Sequence, residues 1–317
     1  MKLGIMIEGQ EGLNWDRWHT LVDSADRLGF ESVWRSDHLY SVMGKHERET
    51  LALVPSLTAV PLWSDRLVFG QLVSPVSFRE PVHLAFEAAT LDRLSSGRYM
   101  FGIGAGWNES EHRAFGFRLP PVKERFDRLE EALKLITLLW SGERVDFVGD
   151  YYQLDMAQAA LTPREGRANI LIGGGGEQRT LRLVAEYADE WNVTPVPPDV
   201  FDHKVSVLER HCADVGRDPG EIRKSIMLSH VIGRDEAELH ERARRIMAIT
   251  GREDQDPAEV LDGMRERGLL IGTPDEVVAS IKAREAQGID RIMLQTLDMD
   301  DVDVLGLIAN EIMPQVS

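Results

Sequence analysis

Short apolar runs alternate with amphipathic stretches along almost the whole chain. The runs Leu3–Ile7, Ser32–Trp34, Leu67–Val73, Tyr99–Ile103, Asn169–Ile172, Glu190–Val193, Ser225–Ile232 and Arg291–Gln295 have the length and apolar content of buried strands. Between them, Trp15–Leu28, Val82–Leu94, Lys123–Trp140, Gln178–Tyr187 and Pro274–Gln287 read as amphipathic helices. Thr273-Pro274-Asp275-Glu276 supplies an N-cap, a proline at the first helical position and early acids. Gly29 and Gly288 follow helices that stop before strands, as C-terminal caps do. Strands that are apolar throughout and separated by helices belong to a parallel sheet covered on both faces. Eight such units predict an α/β fold, a closed (β/α)8 TIM barrel, with residues 1–317 forming one domain.

Two segments break the alternation. Arg144–Leu154 alternates apolar and polar residues around Gly149-Asp150, which predicts a hairpin between the fourth and fifth units. Residues 234–272 are charged and helical around the acidic stretch Glu253–Glu259. That is too long for an ordinary connection between the seventh and eighth strands, so it reads as a helical insertion. A mobile lid over the barrel mouth and a solvated excursion without function both fit it.

Composition narrows the class of partner. Hydrophobic residues make up 43% and charged residues 28%, the balance of a soluble globular protein. The formal net charge of −17, with no basic block to offset it, argues against a nucleic-acid partner held by phosphate neutralisation. The single cysteine, Cys212, precludes an internal disulfide and fits a reducing compartment. The start, MKLGIMIEGQ, turns polar too quickly for a signal peptide, and no apolar run reaches the length of a membrane span. A cytoplasmic protein without membrane attachment is expected.

The stretch Ile170-Leu-Ile-Gly-Gly-Gly-Gly-Glu-Gln178 carries the strongest chemical signal. A strand feeding four glycines ahead of a helix leaves backbone N–H groups free to point at one anion, with the positive end of the helix dipole behind them. It reads as a phosphate cradle or as a tight strand-to-helix turn. Barrel active sites gather at the C-terminal strand ends. Those ends hold Glu8 and Gln10, then Ser36-Asp37-His38, then Gln71 through Ser77, then Gly104-Ala105-Gly106-Trp107-Asn108. The glycine run follows, then Asn192 and Thr194, Ser229 and His230, and Gln295 and Thr296. This ring is polar without strong charge. It lacks convincingly paired carboxylates, a Gly-x-Ser-x-Gly elbow, a Walker loop or a cysteine/histidine metal set, and Asp37-His38 has no evident third metal ligand. No metal is therefore expected. Such a ring suits a large, mostly neutral organic group that does the chemistry itself. His38 beside Asp37 is a candidate proton donor or base. Glu111 and His112 open the helix after Gly106, where the acid can simply complement the helix dipole. Gly102-Ile-Gly104-Ala-Gly106 misplaces the third glycine of a dinucleotide fingerprint and reads as close backbone approach to a flat ligand.

Four stretches resemble the luciferase-like monooxygenase superfamily of barrel flavoproteins, especially its coenzyme F420-dependent branch. They are Phe30-Glu-Ser-Val-Trp-Arg-Ser-Asp-His38, Gly70-Gln-Leu-Val-Ser-Pro-Val-Ser-Phe-Arg-Glu-Pro81, Leu91-Asp-Arg-Leu-Ser-Ser-Gly-Arg-Tyr-Met-Phe-Gly-Ile-Gly-Ala-Gly-Trp-Asn-Glu-Ser-Glu111, and Ile170–Gly176. With Asp189-Glu-Trp-Asn192, the match spans nearly the whole chain in order and spacing. The resemblance implies a cofactor ring over the barrel mouth, a cofactor phosphate on the glycine loop, and a homodimer. It also implies a non-proline cis peptide in the third strand, placed at Gln71–Leu72 to within one residue by alignment on Ser74-Pro75. The expected cofactor contacts are Asp37, Gln71, Leu72, Val73, Ser74, Ala105, Gly106, Asn108, Gly174, Gly175 and Gly176. Glu8, Trp107 and Glu111 are expected in the substrate pocket, and His38 as the catalytic residue. Similar sugar-phosphate dehydrogenases share Asp37-His38 but carry a glutamate where this chain has Trp107, which puts sugar-phosphate oxidation in doubt. The expected function is hydride transfer between coenzyme F420 and a small organic substrate. An FMN-dependent monooxygenase is the alternative, and a flavin-binding protein without turnover is a third reading. The acidic tail of F420 needs a basic exit, for which Lys45 with Arg48, and Arg179 with Arg182, are candidates.

Overall fold

The computed structural model describes residues 1–44 and 46–316. All eight expected strands form: β1 Lys2–Ile7, β2 Ser32–Arg35, β3 Val68–Gln71, β4 Tyr99–Gly104, β5 Asn169–Gly173, β6 Glu190–Val193, β7 Arg223–Ile232 and β8 Arg291–Thr296. Their order in the sheet is β7-β8-β1-β2-β3-β4-β5-β6, and β6 pairs back with β7, so the fold is a closed parallel barrel. The register is set by runs of apolar residues, as in Leu3 opposite Ile292 and Ile5 opposite Leu294. Helices such as Trp15–Leu28, Pro81–Leu94 and Val122–Trp140 connect the strands.

The chain groups into two compact units. One comprises Met1–Leu67, Asn192–Val207 and Arg223–Ser317, and the other Val68–Trp191 with Leu208–Ile222. In the first, Ile5, Ile7, Trp18, Val33, Trp34, Leu228 and Leu294 are buried. Arg291 is fully buried and pairs with Glu31 at 2.6 Å, its guanidinium 5.2 Å from the centre of the Trp34 ring. The helix Leu53–Trp63 also belongs here. It lacked an amphipathic signature because it is apolar almost throughout and contains Pro61.

Residues 234–272 fold as the helices Glu236–Thr250 and Pro257–Glu266 followed by a short strand, Leu270–Gly272, which adds to the edge of β7. That strand was not anticipated. Leu239, Ala243, Leu261 and Met264 pack with Val231 and Ile271 into a small core of their own. Arg242 is buried and donates to Asp301 at 2.8 Å, Asp303 at 2.9 Å and the Ile232 carbonyl at 2.8 Å. The base of the insertion is therefore pinned to β7 and to the segment after β8, where a freely swinging lid would lack such attachments.

In the second unit Phe69, Phe101, Ile103, Ile170 and Ile172 form the centre, and Trp140 donates its indole N–H to the Ala85 carbonyl at 3.0 Å. The expected hairpin is present as Val145–Val148 and Gln153–Ala157. The Glu131 carboxylate holds its turn by accepting from the backbone N–H groups of Asp150 and Tyr151, at 2.8 and 3.0 Å. Among the described residues, no helix is long and apolar enough to cross a membrane.

Candidate active site

β3 ends at Gln71, the chain passes through a cis peptide at Leu72–Val73, and a short strand, Ser74–Pro75, resumes pairing with β4. The cis bond thus falls one residue beyond the expected Gln71–Leu72. Around it the glycines of neighbouring strands make room. A Cβ at Gly102 would overlap the Gln71 carbonyl oxygen, one at Gly104 would lie 2.7 Å from Val73 Cγ2, and one at Gly173 would lie 3.3 Å from Val73 Cγ1. The bare Cα atoms of Gly102 and Gly104 accommodate the irregular third strand, a role the linear pattern does not show. Gln71 is itself buried, its amide oxygen accepting from the Tyr99 hydroxyl at 2.7 Å. Leu72 and Val73 are half-buried and Ser74 is buried.

Gly106 has a φ of +82°, a left-handed conformation that favours glycine, and its carbonyl accepts from Arg125, a partner the sequence gave no reason to expect. Ala105 and Gly106 are half-buried, while Trp107 is 65% exposed. Asn108 caps the helix Glu109–Ala114, its Oδ1 accepting from Ser110 Oγ at 2.8 Å and from the Glu111 N–H at 3.3 Å. Glu111 is fully buried in the same turn. His112 bridges two loops: Nδ1 lies 2.6 Å from the Asn108 carbonyl, and Nε2 lies 2.7 Å from Ser77 Oγ. Sequence spacing could not reveal that pair, because the partners are 35 residues apart.

The glycine run after β5 does not pass directly into a helix. Residues 177–179 form a turn and the helix starts at Thr180, later than the expected Gln178. Gly174 has a φ of +117°, and its carbonyl accepts from the Trp191 indole at 2.7 Å. The Glu177 carbonyl lies 2.9 Å from His211 Nε2, and the Leu181 N–H donates to the Gly176 carbonyl at 3.0 Å. A Cβ at Gly176 would lie 2.9 Å from Thr180 Oγ1. The loop is a run of bare backbone, fixed by these hydrogen bonds at the amino end of a helix, and these features fit a phosphate.

At the strand ends of the other unit lies a buried polar network. The two Glu8 carboxylate oxygens accept from Gln10 Nε2 at 2.8 Å and from Gln295 Nε2 at 2.6 Å. Ser36 donates to the Gln10 amide oxygen at 2.5 Å, and Ser229 donates to that of Gln295. Asp37 is buried and His38 half-buried in the segment after β2. Asn192 turns inward, donating to Ser225 Oγ at 3.0 Å, and Thr194 is exposed. His230 is buried beside a small cavity shared with Arg242 and Asp301. Burial pushes its pKa down from 6.5 to about 4, opposed by Asp301, and its Nδ1 has no hydrogen-bond partner among the described residues.

The basic exit fares differently. Lys45 lies outside the described residues. Arg48 is committed to Glu11, at 2.5 Å, and to the Ile249 carbonyl. Arg179 pairs with Asp127 at 2.7 Å, and Arg182 with Glu130 and with Glu186 at 2.8 Å. These charges are already compensated by neighbouring carboxylates, which the linear pattern did not show. Among the described residues no group of three or more His, Cys, Asp and Glu side chains is arranged to hold a metal ion.

Comparison with known proteins places this geometry in a family context. The profile described as luciferase-like monooxygenase matches residues 1–291. The F420-dependent hydroxymycolic acid dehydrogenase of Mycobacterium tuberculosis is 32% identical over 245 residues, covering 74% of this chain and 64% of that one. The F420-dependent glucose-6-phosphate dehydrogenase of Amycolatopsis mediterranei is 27% identical over 314 residues, covering 92% of each. In the fold comparison, an F420-dependent secondary alcohol dehydrogenase in complex with an F420-acetone adduct superposes with a TM-score of 0.83 at 21% identity. That match covers 100% of this chain and 99% of the other.

Proposed function

We propose that this chain, which belongs to the luciferase-like monooxygenase family, is an oxidoreductase moving hydride between coenzyme F420 and a small organic substrate. The observation that carries the reading is the glycine loop. Gly174 to Gly176 present backbone without side chains ahead of a helix, with Trp191 hydrogen-bonded to the Gly174 carbonyl and His211 to the Glu177 carbonyl. Bound there, F420 would supply a ring carbon that accepts or donates a hydride.

The chain's own residues then have separable tasks. Gly174, Gly175 and Gly176 hold the phosphate through their N–H groups. Leu72, Val73 and Ser74 form a shaped backing for the ring, while Ala105, Gly106 and Asn108 line its side; Asp37 is a further contact. His38 gives or takes the proton coupled to hydride transfer. Trp107 and Glu111 bound the substrate space. Trp107 stands where similar sugar-phosphate dehydrogenases carry an acid, so an organic substrate other than a sugar phosphate is the better assignment. The enzyme is assigned to the cytoplasm and to a homodimer.

Titration of the purified protein with F420 and with FMN, followed by a substrate screen with reduced F420, tests the assignment. F420 binding with hydride exchange supports it. Tight binding of FMN alone, with oxygen-dependent turnover, replaces it with a flavin monooxygenase, and binding without any turnover replaces it with a carrier.

A further inference from the structure

The hydrogen-bond chain Asn108–His112–Ser77 fixes which way a hydroxyl proton points. A backbone carbonyl only accepts, so His112 Nδ1, 2.6 Å from the Asn108 carbonyl oxygen, carries a proton. A neutral imidazole has one N–H, which leaves Nε2 as an acceptor. The Ser77 hydroxyl, 2.7 Å away, therefore donates to Nε2. Burial and tilted packing against Phe78, at a centroid distance of 4.5 Å, hold the ring in this orientation. With its proton committed, Ser77 Oγ has only lone pairs left to present. It is half-buried, and no donor to it is found among the described residues. Position 106 leaves the oxygen uncovered, since a Cβ there would lie 2.5 Å from Ser77 Oγ.

We infer that Ser77 is an acceptor-only recognition point for an N–H group of the bound cofactor ring, and that His112 is the residue positioning it. The imide N–H at the pyrimidine end of a deazaflavin or flavin is the group of matching chemistry. A ring carbonyl or ring nitrogen lone pair in its place would face another lone pair. The inference rests on the reading that this protein binds such a ring, but it does not depend on which of the two rings is bound.

The test compares F420 and FMN with analogues methylated at the imide nitrogen, titrated into the unmodified protein, Ser77→Ala and His112→Phe. The unmodified protein should bind the methylated ring about five- to tenfold more weakly, the worth of one hydrogen bond. Ser77→Ala should bind the two forms alike. His112→Phe, which frees the serine proton to turn toward the ligand, should lose affinity for the N–H ring while losing little for the methylated one. A merely structural role for the pair would weaken both rings equally, and that result overturns the inference. So does unchanged discrimination in Ser77→Ala, which can be read even where His112→Phe fails to fold. Discrimination seen with FMN when F420 does not bind would keep this inference and remove the F420 reading. Failure of both rings to bind the unmodified protein removes both.

Discussion

Trp191 donates its indole N–H to the carbonyl oxygen of Gly174 at 2.7 Å, so an aromatic residue of β6 fixes the orientation of the loop after β5. In a planar trans peptide the carbonyl and the following N–H point in opposite directions. The Gly175 N–H therefore faces away from Trp191. Trp191→Phe keeps most of the buried volume but deletes the donor. It should lower stability by about 1–2 kcal/mol, the usual result of stranding a buried carbonyl, and weaken cofactor binding several-fold. Gly175→Val should weaken binding by more than about tenfold, because its Cβ obstructs an anion approaching the amides. Isothermal titration of both variants decides this, and unchanged affinity in the valine variant would put the phosphate elsewhere.

His38→Ala should leave cofactor affinity close to normal and slow turnover by roughly 10²–10⁴, the range for a positioned acid or base. Single-turnover kinetics across pH separates the two effects. Normal rates at every pH would assign the proton to another group, with Glu8 and Glu111 the first to examine.

Glu8→Gln should destabilise the fold although it changes little in volume. The carboxylate accepts from two amide groups, and the oxygens of those amides are taken by Ser36 and Ser229. A glutamine NH₂ would have to face another NH₂, and neither neighbour can flip without losing a serine. The expected loss is about 1–3 kcal/mol, read as a lower melting temperature. An unchanged melting temperature would show that the network can rearrange.

His230 links stability to pH. Its pKa is about 4 in the folded protein, against an ordinary value of 6.5. Between these values the unfolded chain takes up the proton and the folded chain does not, so stability rises with pH across the window and is lost as pH falls from 6.5 toward 4. The full effect is about 3 kcal/mol from the size of the shift. Denaturant unfolding of the unmodified protein and of His230→Gln should show that slope in the first and a flatter one in the second. Equal slopes would trace the acid sensitivity to other groups.

The eight strands were legible in the sequence because a strand buried on both faces is rich in apolar residues, and short apolar cores such as Leu3–Ile7 and Tyr99–Ile103 recur between the helical stretches. The end signals were equally local: Thr273 is the expected N-cap, where it forms a capping box with Glu276, and Gly29 is left-handed at the end of its helix. The helix Leu53–Trp63 was missed because near-uniform apolarity erases helical period, and the short strand Leu270–Gly272 because three residues carry no pattern. Local sequence also offers a candidate phosphate loop, since four adjacent glycines leave the backbone open to close approach. It could not assign partners. Gln295 reaches Glu8 across 287 positions, His112 reaches Ser77 across 35, and Arg48 spends its charge on Glu11. The same holds for Gly102 and Gly104, whose missing side chains make room for the third strand. Periodicity reports how each segment is buried and capped, because those are properties of neighbours along the chain. Which donor meets which acceptor depends on how distant strands are brought together, and only the tertiary structure decides that.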